Sequence, residues 1–282
     1  MTTGAEVFRE LQRKARADSQ GTDKQPPTAE YLTRHGLESF LHRLTRTPHS
    51  DDFVLKGGIL LAVYGARRPT KDIDAEAISA SVTPDYIVRV VQNIAAVEAD
   101  DGLVFNVDSI DVRTIREVAD YPGLRVKVSA MVGNQNVVIA WDISTGQPIV
   151  PAPRLVNVPR LLGEPIAILG YAPETTVAEK GVTILERGIT STRWRDYVDI
   201  VRLAEQHDLD QELLIQSSQA VARYRGVALT HIGPSVAGYG EIAQAKWAAW
   251  RRKESVEDIC EALLDDQMVK VADVLDPVFG GG

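Results

Sequence analysis

A chain of 282 residues with 44% hydrophobic and 25% charged side chains can bury a sizeable core, as one large domain or two modest ones. Its formal net charge of −8 argues against broad, charge-driven nucleic-acid binding and leaves room only for a local basic groove. The single cysteine, Cys260, excludes an intrachain disulfide, no apolar run reaches the roughly 20 residues a membrane helix needs, and the charged first twenty residues lack the apolar core of a signal peptide. A soluble, cytoplasmic protein without a membrane partner is expected.

Val7, Phe8 and Leu11 recur at helical spacing within residues 4–18, and a polar, Gly/Pro-bearing break follows at 19–27, so residues 1–28 read as a helix and linker. A second helix starts near Thr28 and carries Tyr31, Leu32, Leu37, Phe40, Leu41 and Leu44 on its core face. His35, His42 and His49 recur every seven residues without an acidic or cysteine partner, and surface positions are expected for them rather than metal ligation. Phe53-Val54-Leu55 leads to Gly57-Gly58, then to an apolar helix over 59–64 that Gly65 ends. A basic loop at 66–71 delivers the chain into a strand over 72–77.

Next comes an amphipathic helix over 83–99, with Thr83 as N-cap and Pro84 in its first turn. Strands are expected at 103–107, 110–116, 124–132 and 137–143, the last two joined by a Gly133-Asn134 hairpin. The proline-rich stretch 148–173 has no clean period and reads as an ordered connector between lobes. A helix opens at Glu174 and sets Lys180 near the core boundary among Val177, Val182 and Ile184, and 209–275 is helical in pattern. Cys260 falls in an apolar helical repeat with Ile259, Ala262 and Leu263, as small buried cysteines do. Trp247 and Trp250 beside Arg251, Arg252 and Lys253 read first as core next to a solvated positive run, and second as a clasp for a nucleic-acid end.

The stretch with chemistry in it is KGGILLAVYGARRPTKDIDAEA, beginning at Lys56. On a strand, Asp72 and Asp74 point to one face while Ile73 points into the core. Two carboxylates this close repel each other unless a cation lies between them, and hard oxygen donors suit Mg²⁺, which fills its shell with substrate phosphates. Gly57 and Gly58 let backbone N–H groups and a helix N-terminus approach a triphosphate closely. Among Arg67, Arg68 and Lys71, at least one phosphate contact is expected.

Gly57-Gly58, thirteen residues and then Asp72-Ile73-Asp74 resembles the signature of the polymerase-β-type nucleotidyltransferases. The fuller string, FVLKGG followed by Arg68, Thr70 and the aspartates, resembles the AbiEii branch more narrowly: nucleotidyltransferase-like toxins of abortive-infection and toxin–antitoxin systems, mycobacterial MenT-like toxins among them. The resemblance implies an α/β (α+β) chain, with a polymerase-β-like lobe built on a mixed sheet at 29–150, a mostly helical lobe at 151–282, and the active site in the cleft between them. In that fold a later strand beside the Asp-x-Asp strand often adds an acidic residue to the metal centre, which places Asp142 with Asp72 and Asp74. A plain strand end before a Ser-Thr-Gly turn is the other reading of Asp142, and Arg125 could reach phosphate across the same sheet or be an ordinary surface arginine.

Lys180 matches a functional lysine of the family, and Arg193 to Asp199 resembles its Arg-x-x-Asp-(aromatic)-x-Asp block. Asp196 is the expected later catalytic acid, orienting Lys180 or taking a proton from the attacking hydroxyl; Asp199 is the runner-up, and a structural salt-bridge helix is the alternative to both.

The implied activity is that of a toxin. One or two Mg²⁺ and an NTP would serve transfer of NMP to RNA, most of all the 3′ end of tRNA, which would block aminoacylation and growth. Gly57, Gly58, Arg68 and Thr70 would hold the nucleotide, and a cognate antitoxin would be the protein partner. A small-molecule adenylyltransferase, a protein nucleotidylating enzyme and a non-enzymatic nucleotide-binding partner remain as alternatives. Thr70, two residues before Asp72, is also a regulatory phosphosite candidate, since a phosphate there would compete with substrate charge.

Overall fold

The computed structural model describes residues 2–20, 27–78, 82–115 and 123–280. The chain divides into two compact units, one of Met1–Val63, Arg67–Gly146 and Arg154–Gly170, the other of Tyr64–Ala66, Gln147–Pro153 and Tyr171–Gly282. Most of the linker at 19–27 and Arg116 lie outside the described residues.

In the first unit, α1 (Gly4–Asp18) begins with a capping box in which Thr3 and Glu6 satisfy each other's backbone N–H groups. It buries Val7, Leu11 and Ala15. Helix α2 (Thr28–Leu44) follows. The elements that carry the sheet are β1 (Phe53–Lys56), β2 (Ile73–Ala77), β3 (Leu103–Ile115), β4 (Gly123–Val132), β5 (Gln135–Thr145), β6 (Arg154–Val158) and β7 (Ile166–Gly170). Between them lie α3 (Gly57–Leu61) and α4 (Pro84–Ala96), the latter capped by the Thr83 hydroxyl accepting from the Tyr86 N–H.

The described residues make one seven-stranded sheet in the order β3-β4-β5-β2-β1-β7-β6. It is mixed, as expected: β2 runs antiparallel to β1 but parallel to β5, and β1 runs parallel to β7. One face is packed by α2, whose Phe40 meets Trp141 edge-on at 5.3 Å, with Phe53 against the same indole at 4.7 Å.

Four expectations change in the first unit. The two strands expected at 103–107 and 110–116 are one strand, β3, whose pairing with β4 shifts register between Asn106 and Asp111. A bulge absorbs the polar break between the two expected strands. The expected connector at 148–173 contains β6 and β7, which close the far side of the sheet; short strands with exposed alternate residues leave little periodicity to read.

The histidines are not a surface set. His35 is 1% exposed, with its Nε2 at 2.9 Å from the Asp101 carbonyl, while His42 and His49 are half-buried. The cause is a polar seam on α2, where Arg43 reaches both oxygens of the buried Asp101 at 3.0 and 2.6 Å and also donates to the carbonyls of Val97 and Leu103. Lastly, the apolar helix expected over 59–64 is one short turn that begins at the glycines themselves.

The second unit is helical: α5 (Pro173–Arg187), α6 (Trp194–Gln206), α7 (Gln211–Arg225), α8 (Ile232–Val236), α9 (Tyr239–Glu254) and α10 (Leu264–Phe279). Gly181 lets α5 and α10 close up, since a Cβ there would come within 2.7 Å of the Phe279 ring. Trp194 and Trp247 are buried, Trp247 stacks on Trp250 at 5.1 Å, and Arg195 pairs with Glu254 at 2.5 Å, which gives the cluster a packing role. Cys260 does not sit in a helical repeat. It follows a short 3₁₀ turn, Glu257–Ile259, in extended conformation, half-buried, where burial raises the thiol pKa. Among the described residues no helix is long and apolar enough to cross a membrane.

Candidate active site

The glycine pair and the carboxylates meet within the first unit. Strand β1 ends at Lys56, whose register partner on β2 is Asp74, and the chain turns at once into Gly57. Gly57 has φ +69°, the left-handed region that a Cβ disfavours, and a Cβ there would lie 1.9 Å from the Asp74 carboxylate oxygen. Gly58 is equally confined, with Thr70 Oγ1 2.7 Å from where its Cβ would be and Arg68 at 3.4 Å. Helix α3 is only five residues long, too short for a macrodipole. What the glycines contribute is room.

Ile73 and Ala75 are buried on one face of β2, while Asp72 and Asp74 are half-buried on the other. Thr70 steadies the first aspartate, its hydroxyl donating to Asp72 Oδ1 at 3.2 Å and to the Asp72 carbonyl at 3.3 Å. Asp142 is the register partner of Asp74 on β5, and Arg125 is the partner of Asp142 on β4. Residues directly opposite on neighbouring strands share a face. A row of Lys56, Asp74, Asp142 and Arg125 therefore crosses the sheet. Arg125 grips Asp142 with both arms, Nε to Oδ1 at 2.7 Å and Nη2 to Oδ2 at 2.5 Å, and the carboxylate raises the guanidinium pKa further.

Behind Gly58 opens a small pocket. Gly58, Arg68 and Thr70 line it, with Arg34, Leu37 and Glu38 of α2 among the residues opposite. Of the four residues that the resemblance assigns to the nucleotide, Gly58, Arg68 and Thr70 line this pocket, while Gly57 lies against Asp74. Arg67 is committed to Glu30 at 2.9 Å on the rim.

Lys180, Asp196 and Asp199 come together in the second unit. The Lys180 ammonium donates to Asp196 Oδ1 at 2.6 Å and Asp199 Oδ2 at 2.9 Å, and Arg193 adds a bond to Asp196 at 2.6 Å. Burial alone would raise the Asp196 carboxyl, but Lys180 and Arg193 outweigh it and hold the pKa down to about 2. A carboxylate so stabilised is a weak base and a strong anchor. Both candidate acids hold one lysine.

Two residues of the first unit were passed over in the sequence. Glu76 continues the Asp72, Asp74 alternation, is fully buried, and takes Lys56 Nζ at 3.1 Å and Ser144 Oγ at 2.6 Å on one oxygen. The signal was legible: a third acidic residue at the same spacing, with a lysine immediately before the glycines.

The donor set can be tested against Mg²⁺. Among the described residues no group of three or more His, Cys, Asp or Glu side chains is arranged to hold a metal ion. What remains is an all-oxygen pair, Asp72 and Asp74, and one or two carboxylates with phosphate and water completing the shell is how Mg²⁺ is commonly held beside a nucleotide. The pair fits.

A short strand pair, a glycine turn pressed on an Asp-x-Asp and a neighbouring pocket define a nucleotidyltransferase-like site. The sequence model described as nucleotidyl transferase AbiEii toxin, type IV TA system, matches residues 39–265, and the chain belongs to that family. Two solved structures from Helicobacter pylori are similar at 13% identity and a TM-score of 0.49. The JHP933 protein is matched over 88% of this chain and 91% of that one; a candidate nucleotidyltransferase of the same bacterium is matched over 88% and 94%. Likenesses this distant transfer no residue role. No curated protein matches the chain.

Proposed function

We propose that this toxin-family protein transfers NMP from an NTP to a hydroxyl of RNA, the 3′ end of tRNA above all, and thereby stops translation. The observation that carries the reading is the close approach of Gly57 to Asp74 and of Gly58 to Thr70 and Arg68, a turn with no room for a side chain at either glycine, beside the pocket that Gly58, Arg68 and Thr70 line. Bound Mg²⁺, held by Asp72 and Asp74, would supply electrostatic stabilisation of phosphate charge.

The residues divide the remaining work. Gly57 and Gly58 admit the triphosphate to the backbone, Arg68 offers it a guanidinium, and Thr70 keeps Asp72 in place. The acceptor oxygen bonds to the α-phosphorus as the α–β anhydride bond breaks, pyrophosphate leaves, and the hydroxyl proton passes to one of the two strand carboxylates, Asp72 or Asp74. Within the second unit Asp196 and Asp199 hold Lys180, and the low pKa of Asp196 favours this anchoring role over proton acceptance. Phosphorylation of Thr70 would set a dianion against Asp72 and silence the site, one way in which an antitoxin could act.

The test is transfer of each α-³²P-labelled NTP, with Mg²⁺, to total cellular RNA by wild type and by Asp72→Asn. Label on tRNA-sized bands that disappears in the variant is the expected result and also identifies the base used. Label that never reaches RNA while nucleotide still binds removes the RNA reading and directs the search to a small-molecule or protein hydroxyl. For regulation, mass spectrometry of toxin co-expressed with its neighbouring gene product should find phosphate on Thr70. Inhibited toxin with unmodified Thr70 removes that route.

A further inference from the structure

Lys56 and Glu76 form a buried charge pair on the face of the sheet that carries Asp74 and Asp142. Their side chains are 12% and 1% exposed, and the Lys56 ammonium lies 3.1 Å from Glu76 Oε2, the oxygen that also accepts from Ser144 at 2.6 Å. Glu76 is two residues beyond Asp74 on β2, and Ser144 is two residues beyond Asp142 on β5, so both lie on the face of the sheet that carries the row. The Lys56 backbone stands opposite Asp74 itself. One ammonium is therefore tethered on the same face as the aspartates that would bind the cation.

We propose that Glu76 is a positioning residue for that site: by holding Lys56, it sets how much of the lysine charge falls on Asp74, and so the affinity of the Asp72–Asp74 pair for a divalent cation. The inference rests on the reading of that pair as a metal site. Glu76 neutralised by substitution leaves the ammonium to the carboxylate opposite its own backbone, where it competes with the diffusible cation. Removing the lysine as well removes the competitor. A residue that only filled the core would give neither the loss nor the recovery.

The experiment measures Mn²⁺ binding by the full chain, by electron paramagnetic resonance and calorimetry, with thermal melts on the same samples. Wild type, Asp74→Asn, Glu76→Gln, Lys56→Met and the double variant Lys56→Met/Glu76→Gln are compared. Glu76→Gln is expected to bind at least about ten-fold more weakly than wild type, the scale of outer-shell changes at metal sites. Lys56→Met should bind no more weakly than wild type, and the double variant should return to within about three-fold of it.

Glu76→Gln binding as tightly as wild type, or Lys56→Met binding as weakly as Glu76→Gln, overturns the inference. If Glu76→Gln alone fails to fold, the double variant decides: tight binding supports the inference, and a loss of ten-fold or more sinks it. Wild type that binds no Mn²⁺, or binds it unchanged in Asp74→Asn, defeats the metal-site reading instead, so the two failures are told apart.

Discussion

At the scale of single residues, the site depends on atoms that are missing. Gly57 combines a left-handed φ of +69° with a Cβ position 1.9 Å from the Asp74 carboxylate, so any side chain there displaces the residue that the turn exists to accommodate. Gly57→Ala should cost about 1–2 kcal/mol in backbone strain. It should also lower label transfer by about 100-fold, because a displacement of the order of an ångström at the reacting groups costs that much. Steady-state transfer and a denaturation curve on one preparation separate the two effects.

Asp196 gives a prediction with a sign in pH. Its folded-state pKa of about 2 lies below the ordinary 3.8, so the carboxylate contributes stability that is complete above about pH 4 and is lost as the pH falls towards 2. Asp196→Asn should therefore cost about 2–3 kcal/mol near neutral pH, and the gap to wild type should close below about pH 2. Urea melts across that window check it.

At the scale of elements, the polar seam of α2 matters most. Arg43 and Asp101 are each about 5% exposed or less, and the guanidinium ties α2 to the turn between α4 and β3 through two carboxylate bonds and backbone carbonyls. Arg43→Met leaves Asp101 buried without that partner and should cost about 3–5 kcal/mol by chemical denaturation. Arg43→Met/Asp101→Leu should recover part of it. Elements were read well where a local pattern and a core face agree, as in α1, α4 and the β4–β5 hairpin, whose Gly133 has φ +59°. They were read poorly where side chains face partners distant in sequence: His35 bonds to Asp101, sixty-six residues away, and nothing in a period of seven announces that.

At the scale of the whole molecule, the interleaving of the two units sets a limit on dissection. β7 lies beside β1 through the pairing of Gly170 with Leu55, and Gly170 is pressed between Leu60 and Val156, so the sheet is incomplete without residues 154–170. A chain cut after residue 150 should lose cooperative melting and aggregate through the exposed edge of β1, while one cut after residue 172 should keep a cooperative transition. Circular dichroism with temperature distinguishes the two.

The amino-acid sequence by itself determined the motif and what flanks it. The glycine pair, the spacing to Asp72 and Asp74 and the α/β character follow from local patterns, because turn geometry and strand alternation act over a few residues, while the family and the choice of Lys180 and Asp196 rest on resemblance. Tertiary structure alone decided which charges meet. That Asp142 is gripped by Arg125, that one lysine serves both Asp196 and Asp199, that Lys56 is held by Glu76, and that two strands lie hidden in a proline-rich stretch all depend on strand register and helix packing. Those are set by burial summed over the whole chain, and no window of the sequence contains that sum.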